Sequence, residues 1–203
     1  MNARVQQHAG LCAGLPDPVH DAQLAFRQAL DALARPGRPV ALGKPIRGLP
    51  VGGAMAHLLL ALTDAETPVW WQQADAAQAD WLRFHTGAGT ASAPAQASFA
   101  VIDDALRMPP LADFSTGSAA SPEHSATLLV EVPSLDAGPA LEWRGPGIQD
   151  QQTVRLAGLG EDFWLHWQAN HALFPQGVDI LLTCGDLALG LPRTTRVRRL
   201  EGI

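Results

Sequence analysis

Arg193, Thr194 and Thr195 follow Pro192 directly, placing a guanidinium and two hydroxyls at one point of the chain. Arginine offers a planar fork of donors and threonine a rotatable one, so the trio suits an anionic oxygen ligand. Residues 174–195, FPQGVDILLTCGDLALGLPRTT, form one unit around it. The loop Phe174-Pro175-Gln176-Gly177 leads into an apolar run over 178–184, interrupted only by Asp179 and Thr183. Gly185-Asp186 reads as a two-residue hairpin turn and 187–191 as the returning strand, which Pro192 stops. A hairpin that ends in a solvated arm accounts for the same residues, and the pattern leaves both readings open. Arg196, Arg198 and Arg199 join Arg193 against Glu201. That cluster is adequate for one phosphate-bearing ligand or an acidic partner surface, and equally for an ordinary soluble end.

Other chemistry is bounded by what the chain lacks. Its single lysine, Lys44, stands between Gly43 and Pro45 in a loop that reads as exposed, a poor place to desolvate an amine for Schiff-base catalysis. There is no tyrosine, no Gly-rich phosphate loop, no G-x-S-x-G elbow and no paired Cys or His metal signature. Cys12 and Cys184, in a predicted tail and a predicted buried strand, make no disulfide framework. A net charge of -6 argues against non-specific nucleic-acid binding, which needs a basic surface. No apolar stretch reaches the length of a membrane span, and the N-terminus lacks a signal-peptide core, so a cytoplasmic location is expected.

With 203 residues and 47% hydrophobic content the chain can bury a real core. The expectation is a mobile tail over 1–15 and a single domain over 16–203. Asp17-Pro18 caps a helix running to about Ala34, with Ala22, Phe26, Ala29, Leu30 and Leu33 on one face and Arg27 beside it, snorkelling or aimed into a cleft. A short strand over 39–42 and a buried helix over 54–62 follow. Asp64 and Thr67 then sit on a helix-to-strand connection, a place for binding residues and for ordinary turn formers alike. The alternation over 82–86 predicts a half-buried strand with Arg83 and His85 sharing its polar face. Strands are expected over 69–71, 99–102 and 128–132, with 141–143 as the antiparallel neighbour of the last. A helix over 159–173 feeds the closing hairpin. Helices distributed between strands point to an α/β sandwich around a mixed sheet.

The same residues carry a resemblance to a known family. Gln23-x-x-Phe26-Arg27 with Pro36-Gly37, Leu62-Thr63-Asp64 with Thr67-Pro68-Val69, Arg83-Phe84-His85-Thr86 and Phe99-Ala100 with Asp103 come first. Ser115-Thr116-Gly117, Pro122-Glu123 with Ser125-Ala126-Thr127, and Gly145-Pro146-Gly147-Ile148 follow. Phe174-Pro175 with Gly177-Val178-Asp179, then Leu191-Pro192-Arg193-Thr194-Thr195, complete the series. In order and spacing the chain resembles the PhnH family, subunits of the bacterial carbon-phosphorus lyase system of phosphonate metabolism.

The resemblance implies a three-layer fold similar to the large domain of pyridoxal-phosphate-dependent transferases, without that cofactor's site and with no other cofactor or metal. It implies a homodimer that assembles with PhnG, PhnI and PhnJ. With PhnG and PhnI, aided by PhnL, such subunits replace the adenine of ATP with a phosphonate, giving ribose 1-methylphosphonate 5-triphosphate. Two expectations of different class follow. In the first, the subunit contributes a phosphonate or nucleotide site, with Arg27, Arg83, His85 and Arg193 meeting the anion. Asp64, Thr67, Glu123, Asp179 and Thr194 then supply polar contacts, and the Gly177 backbone allows close approach. In the second, these residues cap turns and hold interfaces, the subunit is a non-catalytic scaffold, and the chemistry belongs to PhnI. A stand-alone hydrolase using His85 with Ser115 or Asp103 is a third reading, for which the nucleophile motif is missing.

Overall fold

The computed structural model describes residues 13–73 and 75–200. The expected tail therefore lies mostly outside the described residues. Within them, the Ala13 carbonyl accepts a hydrogen bond from Trp81 Nε1 at 3.1 Å. The first helix, α1 (Pro18–Ala34), begins where the cap predicts: Asp17 Oδ1 accepts from the backbone N–H of Val19 and His20. Its buried stripe differs from the expected one. Ala25, Ala29 and Ala32 face inward, whereas Phe26 and Leu30 are 45% and 51% exposed. The cause is a close backbone approach: a Cβ on Gly190 would lie 2.3 Å from the Ala32 carbonyl oxygen. Only small residues fit where the helix lies that near a strand, so the larger ones turn outward.

In chain order the remaining elements are β1 (Val40–Ala41), α2 (Gly53–Leu62), β2 (Val69–Trp71), α3 (Ala76–Thr86), β3 (Phe99–Ile102) and β4 (Thr127–Glu131). Then come β5 (Ala140–Arg144), β6 (Gln152–Arg155), α4 (Glu161–Ala172), β7 (Asp179–Cys184), β8 (Leu187–Leu191) and β9 (Arg196–Arg199). Six strands make one mixed sheet in the order β1-β8-β7-β4-β3-β2, with β2, β3, β4 and β7 parallel and β8 antiparallel to both its neighbours, β7 and β1. The expected hairpin is present, turning on Gly185 at φ +58. A second, antiparallel sheet has the order β6-β5-β9.

The chain thus builds three layers. On one face of the large sheet, Val69, Val101, Leu129, Leu181 and Ala188 pack against α1, α2 and α3 through Ala29, Leu58, Leu59, Trp81 and Leu82. On the other face Ala100, Leu128, Val130, Ile180, Leu182 and Leu189 meet Phe163 and Trp167 of α4 and Leu141, Trp143 and Val154 of the small sheet. Strands buried on both faces read as continuous apolar runs, as 128–130 and 180–182 do. Among the described residues no helix is long and apolar enough to cross a membrane.

Two expected strand assignments are corrected. Residues 82–86 are the last turns of α3, not a strand. Asp75 caps that helix by accepting from Ala77 N at 2.9 Å, the Thr86 hydroxyl bonds back to the Leu82 carbonyl, and Gly87 ends it at φ +81. Five residues of alternation are too few to separate a period of 2 from one of 3.6. The partner of 141–143 is also different. β4 has both edges taken, by β3 and β7, so β5 leaves the large sheet and pairs with β6 and β9 instead.

Candidate functional site

Arg193, next after the proline that ends β8, lies inside the structure with a side chain only 13% exposed. Its Nε donates to both carboxylate oxygens of Asp179 at 3.1 Å, and one Nη donates to Asp179 Oδ2 at 2.5 Å and to Ser125 Oγ at 2.5 Å. The other Nη donates to the carbonyls of Pro122 and Pro175 at 3.1 and 3.2 Å. An arginine has five N–H donors, and here each meets an acceptor of the chain itself. The Arg193 backbone N–H adds a bond to Asp179 Oδ1 at 2.7 Å. One side chain thus ties the start of β7, the turn at Pro122–His124 and the loop before β7 to the end of the hairpin.

The neighbouring residues extend this knot. Asn170, buried near the end of α4, donates to the Val178 carbonyl at 3.0 Å and accepts from Val178 N at 2.8 Å. Gly177 holds φ +121, and a Cβ there would lie 2.9 Å from Asn170 Oδ1, so the close approach it permits is that of Asn170. Its N–H donates to the Thr116 carbonyl at 2.9 Å. The Phe174-Pro175 peptide is cis. His171 Nδ1 donates to the Arg193 carbonyl at 2.8 Å, which leaves Nε2 to accept from Arg196 Nε at 3.3 Å.

Two surface hollows flank the knot. One, of about 440 Å³, is lined by Glu123, Phe174, Pro175, Asp179, Pro192, Arg193 and Thr194, among others. The second, of about 450 Å³, lies against Arg144, Gly145, Pro146, His171, Phe174, Thr194 and Arg196. Glu123, Gly177, Asp179, Arg193 and Thr194, five of the predicted site residues, therefore gather at this corner. Arg144 and His171, which the sequence did not single out, join them, as does Arg196. For Arg196 the signal was its place in the C-terminal basic cluster; for Arg144 and His171 none was local, because their elements meet the hairpin only through the fold.

The other predicted residues lie elsewhere. Asp64 and Thr67 close their own turn: Thr67 Oγ1 donates to Asp64 Oδ1 at 3.0 Å and accepts from Asp64 N at 2.7 Å, while Glu66 N donates to Asp64 Oδ1. Arg27 is exposed on α1. Arg83 pairs with Asp80 one helical turn back at 2.6 Å. On a helix Arg83 and His85 point in nearly opposite directions, rather than sharing a face as a strand would have them. His85 packs edge-on against Trp81 and Phe84. It belongs to the α1–α3 layer, whereas Ser115 lies beside Phe114 on the opposite face of the sheet, its hydroxyl donated to the His124 carbonyl. The hydrolase pairing of His85 with Ser115 is not assembled.

A third hollow, of about 180 Å³, opens at the carboxyl ends of β2, β3 and β4, between Met55, Trp71, Gln72, Asp103 and Glu131. Burial pushes the Glu131 carboxyl above its ordinary value, against the opposing hydrogen bond from the Thr183 hydroxyl at 2.6 Å. In the small sheet the hydrogen bonds from Arg144 and Arg198 hold the Glu142 carboxyl below its ordinary value. Among the described residues no group of three or more His, Cys, Asp or Glu is arranged to hold a metal ion.

Comparison with known proteins agrees along nearly the whole chain. Residues 13–198 match the family model of the bacterial phosphonate metabolism protein PhnH. The alpha-D-ribose 1-methylphosphonate 5-triphosphate synthase subunit PhnH of Rhizobium meliloti (strain 1021) is 38% identical over 205 residues, covering 98% of this chain and 100% of that protein. HtxG of Stutzerimonas stutzeri, provisionally named a C-P lyase subunit protein, is 34% identical over 177 residues, covering 86% of this chain and 85% of that relative.

Proposed function

The chain belongs to the PhnH family of bacterial phosphonate metabolism proteins, and we propose that it works as a subunit of the carbon-phosphorus lyase core complex. In that complex an alkylphosphonate oxygen takes the place of adenine on the ribose of ATP, giving ribose 1-methylphosphonate 5-triphosphate. The reading is carried by similarity over the full length of a subunit named for that synthase. It includes a homodimer, partners of the PhnG, PhnI and PhnJ types, a cytoplasmic location, and a fold of the kind seen in the large domain of pyridoxal-phosphate-dependent transferases.

Assembly is the main role in this reading. Its support is the Arg193 knot, where the most recognisable family residues are engaged with one another. Asp64 and Thr67 likewise serve their own turn. A phosphonate or nucleotide contact at the same corner, drawing on Glu123 and Thr194, is the lesser role.

Co-expression with PhnG, PhnI and PhnJ subunits tests the proposal. The expected result is one co-purifying complex that releases adenine from ATP in the presence of methylphosphonate and PhnL, and fails to do so when this chain is omitted. A complex that forms and turns over at full rate without it would sink the proposal.

A further inference from the structure

We propose that the hollow between β5, β9 and the end of α4 is a binding site for a tetrahedral phosphorus oxyanion carrying a small organic group, gripped by Arg144 and Arg196. The two arginines are directly opposite each other across β5 and β9. Like charges in that relation repel, and their Cβ atoms are only about 5 Å apart. Two residue pairs along, and so on the same face, the ladder places Glu142 opposite Arg198. Glu142 is the only carboxylate among the described residues that ion-pairs with this face, and it is shared between Arg144 at 2.9 Å and Arg198 at 3.1 Å. Asp150 acts on Arg144 more weakly. Three cations thus share one paired carboxylate, and an anion between Arg144 and Arg196 would turn their repulsion into attraction.

The donors are available and aimed. Arg196 makes no ion pair among the described residues; its Nε meets a neutral acceptor, His171 Nε2, so both Nη groups and the full charge remain for a ligand. Arg144 uses Nε for Glu142 and Nη2 for Gln151, leaving Nη1. The Thr194 hydroxyl, on the same wall, has no hydrogen-bond partner among the described residues. Phe174, 61% exposed, supplies an apolar surface for the organic substituent. At about 450 Å³ the hollow has the size of a small-molecule site. His171 is a positioning residue, fixed by the Arg193 carbonyl and holding Arg196 in turn. The excess of positive charge selects a dianion over a carboxylate, and planar guanidinium forks match the oxygens of a phosphoryl or phosphonyl group.

The site rests on geometry; only the choice of methylphosphonate and ATP as probes rests on the family reading. The test is calorimetric titration of the full chain with methylphosphonate, inorganic phosphate, ATP and, for contrast, acetate at low salt. Methylphosphonate or ATP is expected to saturate the protein more tightly than inorganic phosphate, which lacks a group for Phe174, and acetate is not expected to bind; which of the first two binds more tightly identifies the source. Arg196→Gln and Arg144→Gln should each weaken that binding by about tenfold or more. Thr194→Val should weaken it less, and the remote Arg107→Gln should leave it unchanged. Failure of every phosphorus oxyanion to saturate below about 10 mM, a level too weak for a built site, overturns the inference. So does wild-type affinity in both glutamine variants. Either failure leaves complex assembly, and with it the family reading, standing.

Discussion

Arg193 carries the most recognisable part of the closing motif, and its chemistry is consumed by the protein's own acceptors. A lysine there would present one rotatable ammonium to carboxylate, hydroxyl and two carbonyls that a planar fork now reaches together. Arg193→Lys should therefore lower unfolding free energy by about 3 kcal/mol, the scale of breaking a buried pair, as read by urea denaturation. A loss below about 0.5 kcal/mol, the range of ordinary surface changes, would mean the knot is not what holds this corner. Glu131 supplies a second residue-scale prediction with a definite sign. Its folded-state ionisation lies above the ordinary value of 4.5 because burial penalises the charge. The stability this contributes is complete below pH 4.5 and is lost as pH rises through the raised value. Glu131→Gln, which can still accept from Thr183, should match the wild type near pH 4 and be more stable at pH 8. Urea midpoints at the two pH values check this, and a pH-independent difference would contradict it.

At the scale of elements, α1 separates propensity from packing. Its limits were legible because Asp17-Pro18 and Pro36-Gly37 act locally. Its buried face was not, because Gly190 on a distant strand decides how near the helix axis can come. Phe26 and Leu30 contribute little to the core, so the double variant Phe26→Ser, Leu30→Ser should change unfolding free energy by no more than about 0.5 kcal/mol. A loss of 2 kcal/mol or more, the scale of a truncated core residue, would place them in a buried contact. The same lesson holds for α3, whose last five residues mimic a strand in pattern yet are committed by the Asp75 cap upstream and Gly87 downstream.

For the whole molecule, the large sheet is the shared wall of two cores, and a strand such as β4 contributes alternate residues to each. Neither layer can unfold without baring one face of the sheet on which the other is built. The residues over 16–203 should therefore behave as one cooperative domain. Trp71 and Trp81 report on the helical side, Trp143 and Trp167 on the side of α4 and the small sheet. Trp→Phe variants that leave one pair at a time should show coincident urea midpoints by fluorescence. Separate midpoints would divide the chain into two domains.

Some of this architecture was readable from the chain alone: the cap and stop of α1, the hairpin at Gly185-Asp186, the apolar core strands, and the family. Those features depend on neighbours in sequence or on order along it. The resemblance also put Arg193, Asp179 and Glu123 in one expected site, but together with Arg27, Asp64, Thr67, Arg83 and His85, which the fold places elsewhere. What the sequence could not decide was the direction in which each side chain faces. Arg193 and Arg196 are three residues apart and alike in type, yet one is enclosed by acceptors from 122–125, 175 and 179 while the other is left opposite Arg144. That difference arises because β9 departs from the large sheet to pair with β5. Only tertiary structure sets which strand lies beside which, and so which arginine is already satisfied and which still has charge to offer.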